Sequence, residues 1–492
     1  MKKVVPHSIR RFGWAALAFV LAFGITLVLT RSADSADTHL FTDGELMTRF
    51  LLVPTLFAAI VLAAVTLRGA TAAAATPIPS AAPSVGVAKP FRAQVVGLQW
   101  LNPLQRRDYS TEWQLLWTLG LVRPNKDDDM VRTNPGKYSK LQAIGIIAYG
   151  NEGTDSIAGY HQKYVNALTR NFHGVYYTSQ TYFYNVASND NKQSWRELAG
   201  IRVEYTLPAG RLDPSEAGQY LQDRLISIFG IGNASMPSVW TRSTPPDVHV
   251  TMGGNSAGFL SLAAALDFLQ AHPNETVWVM NWDAPSFPPK DEQINENMVL
   301  LVLAGPDIKT ERAPLAWLGY PATHKIADFE ASKGAPPRAV QAWKATLESA
   351  ARNAGRQDTD IRYVIHDANN TQTDSSARLA NLAQTLTTEL VEFDFMKQTF
   401  NTPALLGEMG AGTALTNVAL AIAYANHMGK HVLVAGTSEA AEPVGVVVSP
   451  PAKVRPINPD KPWFRARGGN TAYLPWWGLR HDAKEYSQGY SQ

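Results

Sequence analysis

Polar and apolar positions along this chain fall into three regimes. Two uncharged apolar runs open it, 13–30 (GWAALAFVLAFGITLVLT) and 50–67 (FLLVPTLFAAIVLAAVTL), each 18 residues long. Coiled as helices they reach about 27 Å, close to the hydrocarbon thickness of a bilayer. Residues 69–90 (GATAAAATPIPSAAPSVGVAKP) have no apolar period and predict an extended linker. From residue 91 onward, strand-type and helix-type patterns alternate, as in an α/β body.

Within that body the densest apolar stretch is Val248–Gln270 (VHVTMGGNSAGFLSLAAALDFLQ). It predicts a short strand, a glycine turn, then a helix whose only clearly polar positions are Ser261, Asp267 and Gln270. A helix with so little wet face belongs inside a domain. Ser215–Gly230 predicts an amphipathic helix, with Ser215 as N-cap after Pro214 and Gly230 as stop. Strands are expected at Leu141–Tyr149, Gly174–Val186, Thr276–Trp282, Met298–Ala304, Ile361–Ile365, Val432–Ala435 and Val444–Val448. Further helices are expected at His161–Thr169, Arg338–Ala354, about Ser375–Leu390, and from Gly412 to Met428. The stretch Phe91–Lys140, with Trp100, Trp113 and Trp117, reads as a small packed layer, or else as an exposed aromatic face for a partner.

Charge orients the apolar pair. Lys2, Lys3, Arg10 and Arg11 precede the first run, Arg68 follows the second, and the loop between them is net acidic. The positive-inside rule then expects a transmembrane hairpin with both ends and the large body on the cytoplasmic side. The alternatives are a periplasmic body, a soluble cytoplasmic one, or a first run cleaved as a signal peptide after Ala33–Ala36. The 492-residue chain carries 44 Lys+Arg against 42 Asp+Glu, a balance with no field to recruit nucleic acid. It has no cysteine, which excludes disulfides, thiolate metal sites and cysteine nucleophiles. No cofactor or metal site is expected.

Gly254-Asn255-Ser256-Ala257-Gly258 fits G-x-S-x-G, the nucleophile elbow of serine hydrolases. Asp283 and His366 follow in hydrolase order and would complete a triad with Ser256 on an α/β-hydrolase fold. No HGGG-type oxyanion loop precedes the elbow, however. An internal repeat also points elsewhere. A glycine turn, an Ala/Leu-rich helix, a strand, a gap and a second strand follow Gly258, and the same series follows Gly412. The helix-to-strand spacings are alike, 19 positions from Gly258 to Val277 and 20 from Gly412 to Val432. Pairing the preceding elements matches Ser215–Gly230 and Val248–Met252 with Arg338–Ala354 and Ile361–Ile365. Duplication of this kind predicts a pseudo-symmetric fold with two central helices packed together.

Residues 248–450 resemble a diverged thiolase or ketoacyl-synthase core. His366–Asp374 (HDANNTQTD) is similar to that family's H-G-T-G-T-x-x-x-D signature, and the loop at Gly407 resembles its second histidine loop. The resemblance implies degenerate site positions: Asn255 where the cysteine would stand, Glu408 for the second histidine, Pro403 for the lysine, with His366 retained. A carboxamide has no nucleophile to form a thioester, so condensing chemistry is not expected. Hairpin, Trp-rich head and thiolase-like half together resemble the lipase adaptors of type VI secretion. That resemblance implies a non-catalytic adaptor that binds a phospholipase effector and delivers it to the spike protein.

The expected organisation is a hairpin over 1–68, a linker over 69–90, and an N-terminal α/β domain over 91–244. A thiolase-like domain over 245–451 and a tail over 452–492 complete it. The tail gathers Trp463, Arg465, Trp476, Trp477 and Arg480, residue types enriched where partners bind most tightly; it either wraps its own domain or offers that surface.

Overall fold

The computed structural model describes residues 91–101, 111–122, 156–178, 197–235, 242–284, 296–309, 313–368, 374–390 and 392–457. All fall within one compact unit, Lys89–Gln492. Both apolar runs, the strand expected at 141–149 and the tail residues Trp463, Arg465, Trp476, Trp477 and Arg480 lie outside the described residues. Among the described residues no helix is long and apolar enough to cross a membrane.

In chain order the elements are β1 (Arg92–Leu101), α1 (Thr111–Thr118), α2 (Ile157–Thr178), β2 (Arg202–Pro208), α3 (Pro214–Phe229) and β3 (Asp247–Gly253). They continue with α4 (Ala257–Ala271), β4 (Thr276–Asp283), β5 (Asn297–Ala304), β6 (Ala316–Gly319), β7 (Ala322–Thr323) and α5 (Arg338–Asn353). The last are β8 (Ile361–His366), α6 (Ser375–Glu389), β9 (Thr399–Asn401), α7 (Thr413–Met428), β10 (His431–Gly436) and β11 (Val444–Ser449). Short helical turns separate some of these.

Most predicted elements form where the apolar pattern placed them, because β4, β5, β10 and β11 are apolar-rich runs buried on both faces. Two local expectations change. Asp213, not Ser215, caps α3: its Oδ1 accepts from Glu216 N at 2.9 Å, and Pro214 takes the first helical position, where its fixed φ fits and no N–H is missed. Gly230 ends the helix at φ 63°, as expected. Residues Gly174–Thr178, expected as strand, are the last turns of α2.

Ten strands form one sheet in the order β3-β2-β4-β5-β1-β6-β11-β10-β8-β9, with β7 attached to β11. The order mirrors itself about its centre. β2 lies parallel between β3 and β4, and β8 parallel between β9 and β10. β5 and β11 turn antiparallel onto β4 and β10, and β1 meets β6 antiparallel at the centre. The chain therefore consists of two like halves, β1 to β5 and β6 to β11. α2 packs on α3 in one half and α5 on α6 in the other, while α4 and α7 meet between the halves.

This symmetry corrects the pairing read from the sequence. α3 and β3 correspond to α6 and β9, whereas α5 and β8 correspond to α2 and β2. Burial explains why: β8 is an inner strand, buried at five of six residues, while β3 is an edge strand with Asp247 and His249 exposed. The sheet also runs through the boundary expected at 244/245, since β1 and β2 are inner strands beside β5 and β4. Trp100, Trp113 and Trp117 are buried with Leu115 and Leu116, so the Trp-rich head is packed core. One large apolar cluster spans both halves, and a smaller one lies under α5 and α6.

Candidate functional site

Two buried helices set this region. Every residue of α7 from Thr413 to His427 is buried. Gly258, in the first turn of α4, lets the helices approach: a Cβ there would sit 3.0 Å from Ala414 Cβ and 3.1 Å from Leu415 Cγ. The N-terminal ends of α4 and α7 thus converge, and neither has a side-chain cap. Helix N-termini carry partial positive charge and unpaired N–H groups, so acidic groups suit the space before them.

Three carboxyl groups stand there. Asp283, at the end of β4, accepts from Arg211 Nη1 at 2.6 Å, from Ala284 N at 2.8 Å and from Ala411 N at 2.9 Å. Burial lifts its pKa to about 6 against the pull of Arg211 and the two amides. Asp367, after β8, accepts from Thr437 N at 2.5 Å, Thr437 Oγ1 at 2.8 Å and Ser438 Oγ at 2.5 Å, tying the ends of β8 and β10. Glu408 lies between Gly407 at φ 73° and Gly410 at φ 50°, backbone conformations that favour glycine. Burial raises its pKa and the nearby charge of Asp367 adds to that, while a hydrogen bond from Asn255 opposes both. Glu408 Oε1 is buried with no partner among the described residues.

Of the site positions Asn255, Glu408 and His366, the first two are therefore in contact. The third, His366, is reached through its chain neighbour Asp367, which is within electrostatic range of Glu408. His366 is 2% exposed; its Nδ1 accepts from Ala368 N at 3.3 Å and its ring stacks on Phe395 at 5.9 Å. Burial holds its pKa down at about 4, so the ring is neutral at pH 7. Pro403 is in the short helix Thr402–Leu406, and the middle of the HDANNTQTD loop lies outside the described residues.

The residues of the hydrolase triad are not hydrogen-bonded to one another. Ser256 Oγ is buried without a partner among the described residues. Asp283 is engaged by Arg211 and two backbone amides, and His366 by Ala368 N. A hydroxyl without a base beside it is a weak nucleophile.

Sequence reasoning missed the groups that fix the Glu408 loop. Asn297 Nδ2 donates to Met409 O at 3.3 Å, and Asn281 Nδ2 donates to Asn297 Oδ1 at 2.7 Å. With Asp283 on Ala411 N, strand ends of the first half hold a loop of the second. Among the described residues the one cluster of three candidate metal ligands is Glu348, Asp358 and Glu389, beside α5 and α6. Lys344 Nζ already contacts Glu389 at 2.5 Å and Glu348 at 3.7 Å there.

A duplicated mixed α/β sheet with two central helices is a thiolase-like architecture. Structures similar to this chain include an oxazolomycin ketosynthase domain from Streptomyces albus JA3453, at 12% identity over 77% of this chain and 100% of that one, TM-score 0.44. Another is the β-ketoacyl-[acyl carrier protein] synthase III of Thermus thermophilus, at 11% identity over 73% and 98%, TM-score 0.37. A third is a single-residue variant of OleA from Xanthomonas campestris, at 9% identity over 73% and 96%, TM-score 0.38. No curated protein matches the chain. Residues 315–450 match the family described as type VI lipase adapter protein Tla3, C-terminal. That match covers β6 to β11, the second half of the sheet.

Proposed function

We propose that the chain is a non-catalytic adapter that binds a phospholipase effector of type VI secretion and loads it onto the spike protein. It acts from the cytoplasmic side of the inner membrane, anchored by a hairpin of residues 13–30 and 50–67. The observation that carries this reading is the family match over residues 315–450. The carboxamide of Asn255 supports it, because it offers no nucleophile at the position that the resemblance gives to a cysteine. A surface role on an enzyme-like fold is physically ordinary, since function follows the site and not the fold.

The test is binding of full-length chain to the purified type VI lipase of the same strain, then ternary capture with the spike protein. Binding to neither would end the proposal. Hydrolysis of short acyl esters that Ser256→Ala abolishes would instead establish the hydrolase. A reporter fused after Gln492 tests the topology, with activity in the cytoplasm expected and activity confined to the periplasm contradicting it.

A further inference from the structure

At the end of the second half opposite His366, the ends of β1, β6, β11, β10 and β8 come together. Arg92, at the start of β1, pairs with Gly319 of β6 and lays its guanidinium over the Trp317 ring at 5.3 Å. Trp317 pairs with Ser449 of β11, whose hydroxyl lies 3.0 Å from His431 Nδ1 at the start of β10. His431 pairs with Ile361 at the start of β8, next to Arg362. Arg356, in the turn after α5, completes the group. Its charge acts on both Arg92 and His431, and those of Arg92 and Arg362 act on His431 as well. Burial lowers the pKa of Arg92 and of His431, and these like charges lower both further; Asp360 opposes them at His431.

The acids nearby are engaged by the backbone. Asp360 Oδ2 accepts from Gln357 N at 3.1 Å, and Asp358 Oδ1 from Thr359 N at 2.8 Å. Among the described residues none of Arg92, Arg356, Arg362, Lys430 and Lys453 is in a salt bridge. Lys430 follows α7 and Lys453 follows β11. Arg455 N donates to Asn426 O at 2.9 Å, and a Cβ on Gly429 would touch Val454 Cγ1 at 3.4 Å, so these two segments lie together. Arg356, Arg362, Lys430 and Lys453 are exposed. Beside the lysines stand two exposed apolar side chains, Met428 at 38% and Val454 at 36%. The C-terminal ends of α5 and α7 lie here, but a partial negative charge of about half a unit each offsets only part of the repulsion.

We propose that this end of the sheet docks on the anionic phospholipid headgroups of the membrane in which the hairpin of residues 13–30 and 50–67 is anchored. This rests on the anchored adapter reading above. Two observations favour a lipid surface over a soluble anion. The first is where the chain enters the body. Residues 68–91 lead from the second apolar run to Arg92, and a coil of that length spans on the order of 25 Å. The tether therefore holds the body within a few Debye lengths of the bilayer, with Arg92 at the point of attachment. The second is the mixture of groups. Guanidinium and ammonium groups beside the half-buried Trp317 and the exposed Met428 and Val454 suit the boundary between headgroups and acyl chains. A free phosphate would make no use of the apolar side chains.

The chain has no cysteine, so one thiol can be introduced and labelled alone. Full-length Thr359→Cys, carrying a fluorophore between Arg356 and Arg362, is reconstituted in nanodiscs whose lipid headgroups bear a quencher. Strong quenching is expected when phosphatidylglycerol is added to phosphatidylcholine, and weak quenching in phosphatidylcholine alone. The same label on Glu439→Cys, beyond the other end of β10, is expected to stay bright in both. Arg356→Glu/Arg362→Glu should lower the ratio of docked to free body at least about ten-fold, since each cation near such a surface contributes roughly five-fold. Arg362 also donates to Thr359 O at 2.8 Å. Lys430→Glu/Lys453→Glu therefore repeats the test without touching that turn, and unchanged melting temperatures show that the variants are folded. Quenching at position 359 that is equal with and without phosphatidylglycerol, or that survives both double reversals, overturns the docking and leaves the adapter reading standing. Inorganic phosphate that abolishes quenching at an ionic strength where chloride does not would reveal a free-phosphate site and overturn it too. A full-length chain that does not enter the nanodiscs ends the anchored reading, and this inference with it.

Discussion

Asp283 Oδ2 accepts a hydrogen bond from Ala411 N at 2.9 Å, joining the end of a strand in the first half to the loop before α7 in the second. The other carboxylate oxygen holds Arg211 and Ala284 N. Asparagine at this position keeps the volume but can accept through one oxygen only, so either Arg211 or Ala411 N loses its bond to this side chain. Asp283→Asn is expected to cost about 1–3 kcal/mol at pH 7, read from chemical denaturation. The pH dependence has a definite sign. A carboxyl group whose folded pKa is raised from 3.8 to about 6 favours folding below pH 4, and that contribution fades as pH rises through 6. The variant lacks this falling component, so its stability difference from wild type should shrink between about pH 4 and pH 6.5.

Histidines act in the opposite direction over a similar window. His161 and His366 are both held down at about 4 by burial. A base with a depressed folded pKa contributes stability that is complete above its unfolded value near 6.5 and is lost as pH falls toward 4. For each ring the loss amounts to roughly 3 kcal/mol over that range. His366→Asn keeps an acceptor near Ala368 N and cannot titrate. Its stability should therefore fall less than that of wild type between about pH 6.5 and pH 4, by a similar amount. An identical acid profile in wild type and variant would contradict the buried neutral ring.

Gly412 is fixed by contact and not by backbone angle. A Cβ there would overlap the Asn297 amide, which is held in place by Asn281 and Met409 O. Gly412→Ala is expected to destabilise by about 3 kcal/mol or more, since neither group can retreat in a packed core. Asn297→Ala removes the obstacle. The double variant should then be more stable than Gly412→Ala alone, a coupling of at least about 1 kcal/mol in a double-mutant cycle. Additive costs would show that the crowding is relieved in another way.

How much of this was legible in the residues follows from the range of each interaction. β4, β5, β10 and β11 could be read because apolar runs buried on two faces need no knowledge of their neighbours. The repeat could be read at α4 and α7 for the same reason. Pairing the flanking elements failed because an edge strand and an inner strand, β3 and β8, carry similar residues and differ in what covers them. Asp213 was missed as a cap because Ser215 is also a good capping residue, and the decisive fact was proline's preference for the first helical turn. α4 reads as a helix to be covered on all sides, yet Leu260 is open to solvent. The contact between Asn255 and Glu408 was accessible only through resemblance, by counting from glycines. Asp283 on Ala411 N, 128 positions apart, has no local signature at all.

The meeting of Asn255 with Glu408 makes a prediction that the sequence permits unusually cleanly. The chain has no cysteine, so Asn255→Cys introduces a single thiol at the start of α4. The helix N-terminus lowers the pKa of a thiol placed there, but a carboxylate in contact raises it. Glu408 should win at close range once ionised, because a full charge outweighs the partial charge of the helix end. Iodoacetamide at about pH 7.5, below the usual thiol pKa, is therefore expected to alkylate Asn255→Cys slowly, and Asn255→Cys/Glu408→Gln several-fold faster. Reaction of both at the same rate would mean that Glu408 does not face position 255. A rate for the single variant already matching that of a low-pKa catalytic cysteine would show that the helix end dominates, and that one substitution suffices to restore a reactive thiol.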